Sequence, residues 1–141
     1  MTYTVPIFET QEDLEKEEEV VKRFADKGGF GYRKLARSTL DYALIKNNNA
    51  VCFLEIKCFN SKHDEYKCKI SSLYKWEKMQ EFEKLLPVYF VCHHSDGVVL
   101  YIRAKDIIGD VKWSGRQPRA GSMNDEEFCI FIPMDKMKRL D

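Results

Sequence analysis

The sequence lacks the roughly 18-residue apolar run that a membrane-spanning helix requires. The N-terminal segment MTYTVPIFETQEDLEKEEE has neither a basic start nor a long apolar stretch, so it does not read as a secretory signal. Internal repeats and low-complexity tracts are also missing from the sequence. These absences argue against a membrane protein and a secreted one, and we expect a protein that works in the cytoplasm.

Cysteine is present, but its pattern favours neither disulfides nor zinc. The chain has five cysteines, an odd number, and three of them lie in apolar strand-like runs: Cys52, Cys58, Cys68, Cys92 and Cys129. This pattern predicts reduced, packed thiols. The spacing Cys58-x4-His63-x4-Cys68 matches none of the common zinc patterns, so we expect solvated loop residues there.

The sequence also lacks the excess of positive charge that most nucleic-acid-binding proteins show. It contains 23 Lys plus Arg and 23 Asp plus Glu. However, residues 9–19 hold seven carboxylates and one lysine, and these carboxylates are Glu9, Glu12, Asp13, Glu15, Glu17, Glu18 and Glu19. The rest of the chain is therefore net basic, and a zero total does not exclude a basic face.

What the sequence does contain is the composition of a globular protein, with 44% hydrophobic and 13% aromatic residues in 141. The hydrophobic periodicity predicts the following elements: a helix over 10–28, strands over 30–35, 40–45 and 51–58, a helix over 69–86, strands over 88–94 and 98–102, a loop over 105–126, and a strand over 127–133. This order predicts a mixed α/β fold, with a mixed central β-sheet flanked by helices. We expect a single domain over 1–141, with its core at about 10–103 and a C-terminal loop plus strand over 104–141.

The strands over 40–45 and 51–58 form a predicted hairpin, and the second is apolar on both faces, as a central strand is. With the turn centred on Asn48, residues at equal distances from it face each other. The predicted pairs are Ile45 with Val51, Ala43 with Phe53 and Asp41 with Glu55. Because Lys57 lies two residues beyond Glu55, it shares the same side of the sheet. Asp41, Glu55 and Lys57 are therefore predicted to meet at one end of the hairpin.

Two facing carboxylates repel each other, and burying such a pair is costly unless a cation compensates for it. Mg²⁺ binds one or two carboxylates together with water and phosphate oxygens. We therefore predict a site for Mg²⁺ (or Mn²⁺) formed by Asp41, Glu55 and the backbone carbonyl of Ile56. Lys57 would act on the attacking water. In the structural alternative, Asp41 starts a strand, and Glu55 and Lys57 form an exposed cross-strand ion pair.

The sequence contains a pattern that resembles the signature of the PD-(D/E)xK nucleases: Asp41, then 13 residues, then Glu55-Ile56-Lys57. The predicted element order from about residue 10 to 103 also resembles that superfamily, and most of all its Holliday-junction-resolvase-like and small phage members. The chain departs from their pattern at Leu40, where the signature has proline, and early in the second helix. There, resolvase-like members often carry a glutamine, and this sequence has Tyr74 and Lys75.

The resemblance implies a restriction-endonuclease-like core (αβββαβ) and Mg²⁺-dependent endonucleolytic cleavage that leaves 5′-phosphates. It favours DNA as the substrate, including branched or junction DNA, while RNA stays open because no residue pattern reports 2′-hydroxyl contacts. It also implies a viral or phage origin, and a homodimer is common among resolvase-like relatives. The alternative is a catalytically silent module of the same fold that binds nucleic acid or a protein partner.

Members of this superfamily often add a glutamate from the first helix. Glu17 is the first candidate because it shares the face of Val20, Val21 and Phe24, and Glu18 is the second. Basic residues near the site are predicted to contact phosphates, although each is equally compatible with an ordinary surface charge. These residues are Arg33, Lys34, Arg37, Lys69, Lys75, Arg116 and Arg119.

Overall fold

The computed structural model describes residues 11–36, 40–114 and 127–141. Within these ranges the helices are α1 (Gln11–Gly28) and α2 (Leu73–Glu83). The strands are β1 (Gly31–Lys34), β2 (Tyr42–Lys46), β3 (Asn49–Cys58), β4 (Cys68–Ser72), β5 (Val88–His93), β6 (Val99–Arg103), β7 (Asp110–Ser114), β8 (Glu127–Pro133) and β9 (Lys138–Arg139). Neither described helix has the combination of length and apolarity that crossing a membrane requires.

The strands form a six-stranded sheet in the order β1-β2-β3-β5-β6-β9 and a three-stranded sheet in the order β4-β8-β7. Strands β3 and β5 are parallel, whereas the other neighbours in the large sheet are antiparallel. The connection between β3 and β5 runs through β4 and α2, since parallel neighbours need a crossover. One face of the large sheet packs against α1, and the other packs against α2 and the small sheet. The predicted mixed sheet between helices is confirmed.

Strand β3 is covered on both faces, as predicted. Leu54 and Ile56 pack with Val20 and Val21 of α1. Phe53 faces the other way, towards α2, where its ring meets that of Phe82. Because side chains alternate along a strand, Glu55 also faces the α2 side.

Glycine and asparagine residues mark the end of α1 and the turn between β2 and β3, as the sequence predicts. Gly29, with φ of 69°, follows α1, and a residue in this left-handed conformation commonly ends a helix. Asn47 and Asn48, with φ of 51° and 64°, make the turn between β2 and β3. Asparagine tolerates this region better than most side chains, and a pair of such residues suits a tight hairpin.

The hairpin register agrees with the prediction at one end and differs at the other. Tyr42 pairs with Leu54, Ala43 with Phe53 and Leu44 with Cys52, as expected. The predicted pair of Ile45 with Val51 is wrong, because Ile45 pairs with Ala50. A bulge next to Leu44 takes up the extra residue, and the register towards Asp41 is kept.

Two predicted elements are wrong for a shared reason. Residues 68–72 are not helical but form β4, and α2 starts only at Leu73, where the Ser72 side chain accepts a hydrogen bond from the Lys75 N–H (3.2 Å). Residues 110–114 are not a loop but form β7. Both β4 and β7 pair with β8, which is separated from β7 by residues 115–126 and from β4 by a longer stretch, so neither pairing has the signal of a short hairpin turn.

None of the five cysteines forms a disulfide in this structure. Cys52, Cys92 and Cys129 are buried. Burial raises the pKa of Cys52 to about 11, which keeps this thiol protonated at neutral pH.

Candidate active site

Asp41 is held at the end of the hairpin by backbone hydrogen bonds. Its N–H donates to the Leu54 carbonyl (3.1 Å), and its own carbonyl accepts from the Leu35 N–H (2.9 Å). The Asp41 carboxylate accepts a hydrogen bond from the Ile56 N–H (2.8 Å). Asp41 thus lies one residue before the β2 ladder, and its carboxylate reaches the backbone next to Glu55 instead of standing in a ladder pair with it.

Glu55 is the buried carboxylate of the site, with 5% of its surface exposed. Burial, and then the negative charge of Asp41, raise the pKa of Glu55 to about 7. Its Oε1 lies 3.3 Å from Nζ of Lys75 on α2. The alternative of an exposed ion pair between Glu55 and Lys57 is therefore wrong, because Glu55 is buried and pairs with a lysine of the helix.

The backbone of Ile56 supplies a third polar group. Its N–H points to the β2 side, where it meets Asp41. In a β-strand the N–H and C=O of one residue point to the same side, so the Ile56 carbonyl also points there. The ladder with β2 ends at the pair of Tyr42 and Leu54, which leaves this carbonyl beyond the paired region.

Glu17 of α1 reaches the same end of the sheet. It is 6% exposed, which agrees with the predicted inward face. Nζ of Lys34 on β1 lies 3.4 Å from Glu17 Oε1 and 3.7 Å from Asp41 Oδ1. One ammonium therefore bridges the two carboxylates. The second candidate, Glu18, is directed elsewhere and accepts a hydrogen bond from the hydroxyl of Tyr32 (3.1 Å).

Lys57 lies on the α2 side of β3, as the alternation along the strand predicts. Its Nζ donates to the carbonyl of Ile70 on β4 (2.6 Å). It also lies 5.1 Å from the ring centroid of Phe59. The small sheet therefore positions the lysine of the motif through a backbone carbonyl.

The residues predicted to contact phosphates separate into three groups. Arg33, on the edge strand β1, is exposed, whereas Lys34 is bound to Glu17 and Asp41, and Lys75 is bound to Glu55. Lys69 lies on β4 instead of a helix and is only 2% exposed, and its Nζ donates to the His63 carbonyl (2.6 Å). Burial lowers the pKa of Lys69. A buried amine bonded to the backbone is a poor phosphate contact, so the expectation for Lys69 is corrected. The other three residues lie outside the described ranges: Arg37, Arg116 and Arg119.

A second cluster of polar side chains, which we name the His63–Asp96 cluster, comprises His63, Asp64 and Asp96. Their candidate ligand atoms lie within 4.8 Å of one another. Asp96 is already bonded within the protein, to Nδ1 of His63 (2.6 Å) and to the N–H groups of His63 (3.3 Å) and Val98 (3.2 Å). These bonds hold the pKa of Asp96 below its ordinary value. Within the described ranges, Cys58 and Cys68 do not join this cluster.

Sequence reasoning missed the pairing of Lys34 and Lys75 with the carboxylates. Both lysines were considered only as phosphate contacts. Each pair joins elements that are separated in the chain, β1 with the start of β2 and α2 with β3, so residue spacing contains no signal for it.

The mixed sheet, its acidic hairpin end and the two flanking helices define a restriction-endonuclease-like nuclease fold. The structure is similar to that of Hjc, a Holliday junction resolvase from the archaeal hyperthermophile Archaeoglobus fulgidus. The TM-score is 0.53 at 12% sequence identity, over 83% of this chain and 87% of that chain. Residues 3–140 match the family described as "Phage putative PDDEXK endonuclease". The chain belongs to this family, and the predicted resemblance to PD-(D/E)xK nucleases is confirmed. No curated protein matches the sequence.

Proposed function

We propose that this nuclease is a Mg²⁺- or Mn²⁺-dependent endonuclease that hydrolyses phosphodiester bonds of DNA. The main observation behind this proposal is the buried Glu55, whose pKa is raised to about 7 by burial and by the neighbouring Asp41. In this structure the ammonium groups of Lys34 and Lys75 offset the charges of Asp41 and Glu55. A divalent cation would offset both carboxylates more strongly, because it would bind their oxygens directly.

The polar groups of the site fit a hard divalent cation. Asp41, Glu55 and the Ile56 carbonyl would offer oxygen ligands only, which Mg²⁺ and Mn²⁺ prefer. A bound cation would lower the pKa of a coordinated water and offset the charge that develops on the phosphate. Glu17, which shares the ammonium of Lys34 with Asp41, would orient this side of the site.

Lys57 is the proposed partner of the attacking water or of the phosphate. A lysine has four methylenes, so its ammonium can leave the Ile70 carbonyl and turn towards a bound substrate. In the reaction, a water oxygen would form a bond to phosphorus while the bond from phosphorus to the 3′-oxygen breaks. Arg33, together with Arg37, Arg116 and Arg119 of the remaining chain, would contact flanking phosphates.

Two comparisons support DNA as the substrate class. The family is described as a phage endonuclease family, and the fold is similar to that of a protein named as a Holliday junction resolvase. Branched DNA is therefore the first substrate to test, ahead of RNA. A homodimer would suit such a substrate, because two symmetric cuts need two sites.

The direct test is cleavage of single-stranded, duplex and four-way-junction DNA with Mg²⁺, with Mn²⁺ and with a chelator. We expect metal-dependent cleavage by the wild type and a rate lower by at least about 100-fold for Lys57→Ala, as for the loss of a charged group at a phosphoryl-transfer centre. Lys105→Ala removes an exposed lysine far along the chain and should keep the wild-type rate. Equal background cleavage by the wild type and Lys57→Ala on every substrate would refute the proposal.

One observation favours a second candidate, a module that binds nucleic acid without cutting it. Lys57 donates to a backbone carbonyl, and a lysine retained there would be structural. A silent module would bind DNA, show no cleavage with either metal, and bind no Mn²⁺ that depends on Asp41 and Glu55.

A further inference from the structure

The ion pair between Lys75 and Glu55 is asymmetric. Glu55 is buried, whereas 53% of the Lys75 side chain is exposed, and Nζ lies 3.3 Å from Oε1. The backbone of Lys75 is fixed, because its N–H donates to the hydroxyl of Ser72 at the N-terminus of α2. The main chain of Lys75 is therefore anchored beside β3, while its long side chain extends from the buried carboxylate to the surface.

The Lys75 ammonium is in contact with the same Glu55 carboxylate that we propose as a metal ligand. Two positive charges that share one carboxylate in a partly buried site repel each other strongly. We therefore expect a cation that binds Glu55 to displace Lys75 from Oε1.

Displacement would be easy for this lysine, since the backbone need not move. The four methylenes of the side chain can turn outward, and the exposed half already borders solvent. An ammonium at the rim of a site with a bound cation is well placed for a phosphate, because phosphate is the anion that such a site would receive.

We propose that Lys75 is the counter-ion of Glu55 in the metal-free protein, and that cation binding releases it to contact the DNA phosphate. This inference rests on the proposed function. Lys75 has two opposing effects in this scheme: it competes with the metal for Glu55, and it stabilises the bound substrate afterwards. A lysine that only supported the fold would have no such opposing effects.

The test compares wild type and Lys75→Met by Mn²⁺ calorimetry without DNA and by DNA cleavage at saturating Mn²⁺. We expect Lys75→Met to bind Mn²⁺ about 3- to 10-fold more tightly, as for the loss of one competing ion pair. We expect the same variant to cleave DNA about 10- to 100-fold more slowly, as for the loss of one charge that contacts the phosphate. Lys75→Arg keeps the charge and should stay near the wild type in Mn²⁺ affinity.

The matched control is Lys84→Met, which removes one positive charge at the other end of α2, where Lys84 pairs with Glu81 (3.2 Å). Lys84→Met should change neither the Mn²⁺ affinity nor the rate of DNA cleavage. Urea unfolding of each variant checks the fold, and Lys75→Gln replaces Lys75→Met if the latter is unfolded. Unchanged or weaker Mn²⁺ binding by the Lys75 variant, or cleavage at the wild-type rate, would overturn the inference while the proposed function stands. A wild type that neither binds Mn²⁺ nor cleaves DNA would overturn both.

Discussion

Two carboxylate clusters of this protein differ in how their charge is compensated. In the cluster of Asp41 and Glu55, burial and mutual repulsion raise the pKa of Glu55 to about 7. In the His63–Asp96 cluster, hydrogen bonds from His63 and Val98 hold the pKa of Asp96 below its ordinary value. The first cluster depends on the ammonium groups of Lys34 and Lys75 to offset its negative charge, while hydrogen bonds from His63 and Val98 stabilise the second.

Close spacing of ligand atoms therefore does not by itself identify a metal centre. His63, Asp64 and Asp96 offer three such atoms within 4.8 Å. However, Asp96 joins the loop after β3 to the turn before β6, and a cation would have to replace those bonds. The Glu55 carboxylate has only the displaceable ammonium of Lys75 as its ion-pair partner among the described residues.

The largest expected effect is on cleavage. Asp41→Asn removes a proposed ligand and should lower the cleavage rate of DNA in Mg²⁺ by more than about 100-fold, beyond the usual cost of losing a group that merely supports a ligand. Asp96→Asn, the same change in the His63–Asp96 cluster, should leave the rate within about 2-fold of the wild type. Comparable losses in both variants would remove the distinction between the clusters.

The next effect is on the pH dependence of folding stability in the presence of a chelator. The folded-state pKa of Glu55 lies at about 7 against an ordinary 4.5, so its contribution is fully present below pH 4.5 and is lost as the pH rises through 7. Between pH 4.5 and 8, the free energy of unfolding of the wild type should therefore fall relative to Glu55→Gln, by up to about 3 kcal/mol. Urea unfolding at several pH values measures this. Parallel pH profiles for the two proteins would contradict the raised pKa.

The smallest expected effect is on the contribution of Asp96 to folding stability, whose pH dependence has the opposite sign to that of Glu55. Asp96 has a lowered pKa in the folded state, so its contribution is present above its ordinary value of 3.8 and is lost as the pH falls below it. Asp96→Asn should therefore decrease the free energy of unfolding slightly at pH 7, and the deficit should shrink towards pH 3. The same urea experiment measures it, and a deficit that grows on acidification would be inconsistent with the bonds to His63 and Val98.

Local patterns predicted the parts of the fold and site that depend on local structure. The apolar strand β3, the Asn-rich turn and the helical spacing of Glu17 are all encoded within short stretches of chain, and the structure agrees with each. The pairing of Tyr42, Ala43 and Leu44 was predicted correctly although Ile45 pairs with Ala50, because the bulge lies between these pairs and the turn. The predicted pair of Asp41 with Glu55 is not part of the ladder, which ends at Tyr42.

The parts of the fold and site that local patterns did not predict depend on contacts between distant parts of the chain. Lys69 was expected on a helix, and its strand is defined by pairing with β8. The positions of the Lys34 and Lys75 ammonium groups follow from packing of β1 and α2 around the hairpin, which no residue spacing encodes. The Asp41 carboxylate meets the Ile56 N–H because Asp41 leaves the ladder, a detail that an ideal register does not contain.

The proposed cation site of this protein is the Asp41 and Glu55 cluster. Calorimetric titration of Mn²⁺ into wild type, Asp41→Asn and Asp96→Asn tests it most directly, without any assumption about the substrate. We predict a binding isotherm for wild type and for Asp96→Asn, and none for Asp41→Asn. Binding that survives in Asp41→Asn and disappears in Asp96→Asn would place the cation in the His63–Asp96 cluster instead.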